Sequence, residues 1–333
     1  MKKIQSIKIP DSPDQPLVLH VGRSIKDSRI DKYLHGRLAQ YSRVLLQKQI
    51  DAGFVKVNGK KVKPSFKITP GDVIEITLPP LPSKEITPED IPLNIIYEDD
   101  DIIVLNKPAN IIVHPAKGNL RGTLVNALSF YSDKLSSGLG EFRPGVVHRL
   151  DKNTTGVMVV TKNEIAQWKI AQQFEKRQTH KEYLAIVHGT PQLSADKISA
   201  PLGRHPIVRE KHAICPEIGR EAVTFYQVLE EFRGFSFLKL TPKTGRTHQI
   251  RVHLSYIKHP IVGDEIYGGK IVYPWQLKDQ QSALEDPVIN RPALHARKLE
   301  FTHPSTGKLV SFEAPIPDDM QNLLSMLRKY RKK

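Results

Sequence analysis

Residues 145–156 read Gly-Val-Val-His-Arg-Leu-Asp-Lys-Asn-Thr-Thr-Gly and place one carboxylate, Asp151, between two cations, Arg149 and Lys152. Nearby positive charge favours the ionised form of an acid. The apolar run Val157-Met158-Val159-Val160 follows at once and reads as a buried strand. One acid is therefore held on a short polar loop against a rigid core segment. That arrangement suits a nucleophile, since reacting groups often sit on loops positioned by a scaffold. Acid–base hydrolysis would ask for a second nearby carboxylate or a metal cluster, and the sequence shows neither beside Asp151.

The segment resembles the signature of the RluA-type pseudouridine synthases, in which the Asp of a His-Arg-Leu-Asp run is catalytic. Other similar runs follow in family order. Leu105-Asn106-Lys107-Pro108 lies upstream, and Lys181-Glu182-Tyr183 lies downstream. Thr244-Gly245-Arg246-Thr247-His248-Gln249-Ile250-Arg251-Val252-His253 comes next. The resemblance covers about residues 90–320, with Asn153 and Thr155 as variants inside the signature. Val113-His114-Pro115, Ala314-Pro315-Ile316-Pro317 and a fused N-terminal module look most like the ribosomal large subunit pseudouridine synthase D branch.

The resemblance implies an isomerase that breaks the N1–C1′ bond of uridine, turns the base and joins C5 to C1′, with no cofactor. It makes Asp151 the nucleophile; attack at C1′, attack at C6 and a glycal route all remain open. It pairs Arg251 with Asp151, a role suited to the planar fork of a guanidinium. It gives Tyr183 to the uracil, as a stacking ring or a proton carrier. Arg149 would fill the gap left by an extruded base, a step that costs a few kcal/mol; a plain salt bridge to Asp151 competes. His148 and Lys107 join it as substrate-side candidates, Lys107 as a phosphate contact. No metal is expected. His248 and His253 are five residues apart, not the four that aligns two ligands on a helix, and no cysteine accompanies them.

The elements that position these groups are legible in outline. The 333 residues allow about two domains, and 39% hydrophobic residues mark a globular chain. A formal charge of +15 suggests a polyanionic partner. No apolar run approaches the ~18–20 residues that span a bilayer, and residues 1–19 carry no signal-peptide core. A cytoplasmic monomer with no membrane partner is expected. Cys215 is the sole cysteine, so no internal disulfide is possible; it reads as a small hydrophobe.

Residues 1–22 read as an extension and 23–78 as a basic module with twelve Lys/Arg against five Asp/Glu. Ile30, Tyr33, Leu34 and Leu38 fall on one helical face. Ser42 can cap a second helix that carries Leu45, Leu46 and Ile50 and stops at Gly53. Val55 and Val57 alternate with polar residues before the hairpin signal Asn58-Gly59. This module resembles the RNA-binding module of the ribosomal protein S-four type. Arg29-Ile30-Asp31-Lys32-Tyr33-Leu34 and Val55-Lys56-Val57-Asn58-Gly59-Lys60 carry the likeness, and Arg29, Lys32, Arg43, Lys48, Lys56 and Lys60 are its candidate RNA contacts. Five prolines make 79–92 a semi-stiff linker.

Residues 93–325 then form the catalytic domain, with a basic tail at 326–333. Strands are predicted at 94–97, 102–105, 111–113, 157–160, 182–187, 221–230, 235–241, 299–301 and 309–312. Helices are predicted at 122–128, from Asn163 to about Arg177, from Thr247 to Tyr256, and from Asp318 to Lys329; Ser136 to Glu141 reads as a Gly/Ser loop. The class is α+β: a small α/β module, then a large mixed, mainly antiparallel sheet flanked by helices and loops, the pseudouridine synthase fold. The leading expectation is uridine isomerisation in large-subunit ribosomal RNA. Transfer RNA as substrate, and a non-catalytic RNA-binding assembly factor, are the alternatives.

Overall fold

The computed structural model describes all residues except 1–15, 23–24, 26–27, 39–40, 42, 79–85, 116–118, 137–143, 209–210 and 280–284. The chain divides into two compact units, Met1–Ser83 and Lys84–Lys333. Ser42, residues 79–85 of the expected linker and most of the expected Gly/Ser loop at 136–141 lie outside the described residues.

In the first unit the order is β1 (Leu17–His20), α1 (Ile30–Arg37), α2 (Arg43–Asp51), β2 (Val55–Val57), β3 (Lys60–Lys61) and β4 (Val73–Ile76). The strands form an antiparallel sheet in the order β1-β4-β2-β3. Ile30, Leu34, Leu38, Leu46 and Ile50 form one core with Leu17, Leu19, Ile74 and Ile76. The helical stripe and the alternating strands were both written in the sequence. Asn58 and Gly59 take φ of 49° and 76°, the pair of positive values that a tight hairpin turn needs. One boundary is corrected: the expected extension at 1–22 contains β1, whose residues Leu17–His20 pair with Ile76–Val73.

The second unit is built on nine strands: β5 (Ile95–Glu98), β6 (Ile102–Lys107), β7 (Thr155–Thr161), β8 (His180–His188), β9 (Ala195–Ser199), β12 (Val223–Phe232), β13 (Phe235–Pro242), β14 (Leu294–Thr302) and β15 (Leu309–Glu313). A separate hairpin pairs β10 (Leu202–Arg204) with β11 (His212–Ile214). The sheet order is β5-β6-β7-β14-β8-β13-β12-β9, with β15 on β14. Every pairing is antiparallel except β7 with β14, which matches His295 to Thr155 and Ala296 to Gly156. The sheet is therefore mixed and mainly antiparallel.

Helices cover the sheet: α3 (Leu124–Tyr131), α4 (Glu164–Glu175), α5 (Gln249–Tyr256), α6 (Pro274–Leu277) and α7 (Asp318–Tyr330). Alternation along β6 and β7 serves both faces. Ile103, Leu105, Met158 and Val160 join one core with Leu124 and Leu128 of α3. Ile102, Val104, Val157 and Val159 join another with Ile170 of α4. Asn163 caps α4 by accepting from the Ala166 amide.

Three expectations fail here. Residues 111–113 form no strand; Ile112 makes only a lone bridge to Thr123, because the Ile111 carbonyl serves the buried Lys107 while those of Ile112 and Val113 accept the Leu124 and Val125 amides of α3. Residues 86–92 are no free linker, since Ile86 and Ile91 pack against the α3 core. The basic tail is no tail. The line at 325 cuts α7, where Leu327 is fully buried, and Arg328 pairs with Glu230.

Candidate active site

Asp151 opens the turn that leads into β7, its carbonyl accepting from the Thr154 amide at 3.1 Å, and every residue of β7 is buried. Two buried cations hold that turn by its backbone. Lys107, at the end of β6, donates its Nζ to the carbonyls of Pro108 (2.7 Å), Ile111 (3.0 Å) and Lys152 (3.0 Å). Arg291 donates Nη1 to the carbonyl of Asn153 at 3.3 Å and takes Asp319 of α7 in a two-pronged pair at 2.7 Å. Gly156 sets the strand behind the turn: its φ is 121°, and a Cβ there would lie 2.2 Å from the Ala296 carbonyl oxygen. Only glycine permits that approach of β7 to β14.

Across the cavity stands α5. Gln249, its first residue, fastens the preceding turn. Its Oε1 accepts from Thr244 Oγ1 (2.7 Å) and the Arg246 amide (3.0 Å), and its Nε2 donates to the Val223 carbonyl (3.0 Å). Two residues on, Arg251 donates Nη1 to Asp151 Oδ2 at 3.3 Å. Its fork goes elsewhere: Nε and Nη2 take both oxygens of the buried Asp264 at 2.7 Å each. The guanidinium also lies 4.9 Å from the centre of the Tyr267 ring. Burial acts to lower the pKa of Arg251, but the Asp264 hydrogen bonds, then the charges of Asp264 and Asp151, outweigh it and raise the value. The cation is permanent.

His248, in a left-handed conformation (φ 55°), approaches Asp151 Oδ2 to 3.9 Å through Nε2. Its Nδ1 lies 2.7 Å from the Tyr267 hydroxyl, which accepts from the His212 amide at 3.0 Å. Burial lowers its pKa, so the ring is neutral. Tyr183 projects from β8 into the same cavity. Burial, then the charge of Asp151, raises its phenol pKa, which makes it a hydrogen-bond donor and a poor base. The cavity, about 470 Å³, is lined by Arg149, Asp151, Tyr183, His248 and Arg251 among others, and its size suits a small-molecule or nucleoside site.

The structure thus brings Asp151, Arg251, Tyr183 and Arg149 together. Arg149 is exposed and makes no ion pair with any described residue, so the salt-bridge reading falls. Two expected contacts are corrected. Lys107 is fully buried on three carbonyls and cannot reach a phosphate; it braces the Asp151 turn. His148 accepts the Val159 amide at Nε2 (3.0 Å) and stacks on Phe174. Burial, then the charge of Lys181, lowers its pKa to about 3, so it is a neutral strut of the turn. His253 is likewise held, between Thr224 and Ala200.

Asp264 and Tyr267 were not foreseen from the sequence. Their signal was an adjacent acid pair, Asp264-Glu265, and a tyrosine within a glycine-flanked turn, Gly263 to Gly269, with no periodicity to draw attention.

In the first unit, Lys32, Lys48, Lys56 and Lys60 are exposed. Arg29 and Arg43 are partly committed: both bind the buried Asp31, at 3.0 Å and 2.7 Å, which also accepts from Gln47. They clamp α1 to α2 with side chains still about 40% exposed.

Comparison with known proteins agrees with this geometry. Residues 101–256 match the family model described as RNA pseudouridylate synthase, and residues 28–74 match the S4 domain. Ribosomal large subunit pseudouridine synthase D of Xanthomonas campestris is 42% identical over 90% of this chain and 89% of that protein. The protein of the same name from Vibrio cholerae is 40% identical over 93% and 96%. The chain belongs to the RNA pseudouridylate synthase family. An uncharacterized RNA pseudouridine synthase of Bacillus subtilis, YlyB, is 41% identical over 91% of the chain and 95% of that protein. Among solved structures, human RNA pseudouridylate synthase domain containing 4 superposes with a TM-score of 0.53 at 26% identity, over 71% of this chain and 93% of that one. Members of this family are isomerases of uridine in RNA, so RNA is the partner of the basic module. No helix among the described residues is long and apolar enough to cross a membrane.

Proposed function

We propose that this chain converts uridine to pseudouridine in large-subunit ribosomal RNA, with Asp151 as the nucleophile. The observation that carries the reading is the Asp151–Arg251 pair, 3.3 Å apart across a cavity that Tyr183 also lines. Side chains 100 positions apart in sequence meet there. The reaction is balanced within one nucleotide: the N1–C1′ bond breaks, a C5–C1′ bond forms, and one proton leaves C5 as one arrives at N1. Arg251 keeps the carboxylate charged and aimed. Tyr183, neutral, donates its hydroxyl to the base. Arg149, exposed at the rim without an ion pair, occupies the space from which the uridine is extruded. Large-subunit RNA is favoured over transfer RNA by the names of the relatives, which match this chain over nearly their whole length. All the groups come from one chain, which supports action as a monomer, in the cytoplasm with the ribosome.

The test is tritium release from large-subunit ribosomal RNA transcribed with 5-tritiated uridine, alongside a transfer RNA pool. Wild type should release tritium from the former. Asp151→Asn should bind the same RNA within a factor of about three and release none; turnover by that variant would end the nucleophile assignment.

A further inference from the structure

Beyond Tyr183 the two central strands part. β8 pairs with β13 only from His188 to Tyr183, while its other edge stays on β14 as far as His180. Lys181 therefore stands where one side of β8 is open. It lies two residues before Tyr183, on the same face and about 7 Å along the strand, and both line the cavity.

Among the described residues the ammonium has no partner. No described residue gives it a hydrogen bond or an ion pair. The buried cations of this unit behave otherwise: Lys107 holds three carbonyls, Arg251 holds Asp264, and Arg291 holds Asp319. A partly desolvated cation without a counter-charge is costly unless something pairs with it. Burial, then the charge of Arg177, lowers the pKa of Lys181 to about 8. Gly245 lies beside it, where even an added Cβ would stand 3.8 Å from its Nζ, an ordinary contact.

The neighbouring charge selects the ligand. Arg177, Lys243, Arg246 and Arg149 line the same cavity, against Glu175 and Asp151. The nearby acid Glu221 is already paired with Arg177 at 2.9 Å. The wall thus calls for an anion, displaced along β8 from the tyrosine that meets the base.

We propose that Lys181 is a phosphate-binding residue that takes a phosphodiester of the RNA strand flanking the uridine seated at Asp151. The inference rests on the function proposed above and names a subsite of it. A lysine serves as a compact point charge for phosphate. The contact anchors the strand beside the target and so adds to RNA affinity.

Lys181→Met and Lys181→Arg test it, each checked first for an unchanged melting curve, with Lys181→Gln as the replacement if the Met variant fails to fold. RNA dissociation constants are measured from about 50 to 200 mM salt, with single-turnover tritium release at saturating RNA. Lys181→Met should weaken binding roughly tenfold and reduce the salt slope by about 0.7, one single-strand phosphate contact. The bound rate should stay within about twofold, and Lys181→Arg should restore affinity and slope. Unchanged affinity and slope in Lys181→Met would overturn the proposal. So would a lost bound rate with intact binding in both variants: that marks Lys181 as a proton acceptor, since arginine does not give up its proton. If wild type binds RNA with a Lys181-dependent slope yet makes no pseudouridine, the functional reading falls while the phosphate site stands.

Discussion

Asp264→Asn isolates the clamp behind the Arg251–Asp151 pair. The substitution keeps the side-chain volume and removes the charge that takes both arms of Arg251 at 2.7 Å. Arg251 is 6% exposed, so water cannot replace the lost partner. Breaking a buried pair by deleting one charge costs about 3–5 kcal/mol. Asp151, already 3.3 Å from Nη1, recovers part of this by drawing the guanidinium toward itself, which leaves about 2–3 kcal/mol. At roughly 2–4 °C per kcal/mol for a unit of this size, the melting temperature should fall by about 5–10 °C. The recovery has a chemical consequence, because Arg251 can reach Asp151 more closely only by leaving its seat over Tyr267. A misplacement of about 1 Å at a reacting group costs on the order of a hundredfold in rate. Single-turnover tritium release should therefore drop about a hundredfold while RNA affinity stays within about threefold. Asp264→Asn with a wild-type rate refutes the reasoning, and so does a rate loss that only tracks a loss of RNA binding.

Three further outcomes are expected. Lys107→Met strands three carbonyls, one of them beside Asp151, and should cost about 3 kcal/mol or more while leaving the salt slope of RNA binding unchanged; a smaller slope would reinstate Lys107 as a phosphate contact. Gly156→Ala drives a Cβ to within 2.2 Å of the Ala296 carbonyl and should cost about 3 kcal/mol from backbone and packing strain together, read as a lowered denaturation midpoint. Stability should fall on acidification. Burial depresses His148 to about 3 and His295 to about 4, against an ordinary value near 6.5, so below that pH the unfolded chain binds protons that the folded chain refuses. The contribution is complete above about 6.5 and is lost toward the folded values. Two such groups amount to about 4 kcal/mol between pH 7 and pH 5, and a flat stability over that interval in urea titrations would exclude the effect.

What the sequence revealed followed from local rules. The stripe Ile30-Leu34-Leu38, the Asn58-Gly59 turn and the Asn163 cap are interactions between neighbours, and each is where the pattern put it. Asp151 was legible because its loop abuts an unbroken apolar strand. The failures came from long-range contacts. Lys107 looks like a surface cation until the fold closes residues 108–111 and 152 over its ammonium. His148 sits beside catalytic residues in sequence, yet β7 captures its ring from behind. Asp264 has only a weak local signature, an acid in a glycine-flanked turn; it matters because α5 delivers Arg251 to it. β9, β10 and β11 were missed because short strands of mixed polarity carry little periodic signal.

The same contrast explains how the C-terminal helix supports the turn that carries Asp151. α7 reads from sequence as an amphipathic cover, and Met320, Leu323, Leu324 and Leu327 do bury its apolar stripe. Its first turn has a second task. Asp319 neutralises Arg291, and only a neutralised Arg291 can stay buried while it holds the carbonyls of Asn153 and Leu294. Lys107 holds the adjacent Lys152 carbonyl from the opposite strand. The turn that carries Asp151 is thus gripped at two successive peptides by cations anchored in β6 and, through Asp319, in α7. Arg251 is gripped in the same way by Asp264. Asp151 and Arg251 face each other at 3.3 Å because each is held from behind, the Asp151 turn by Lys107 and Arg291 and the guanidinium by Asp264.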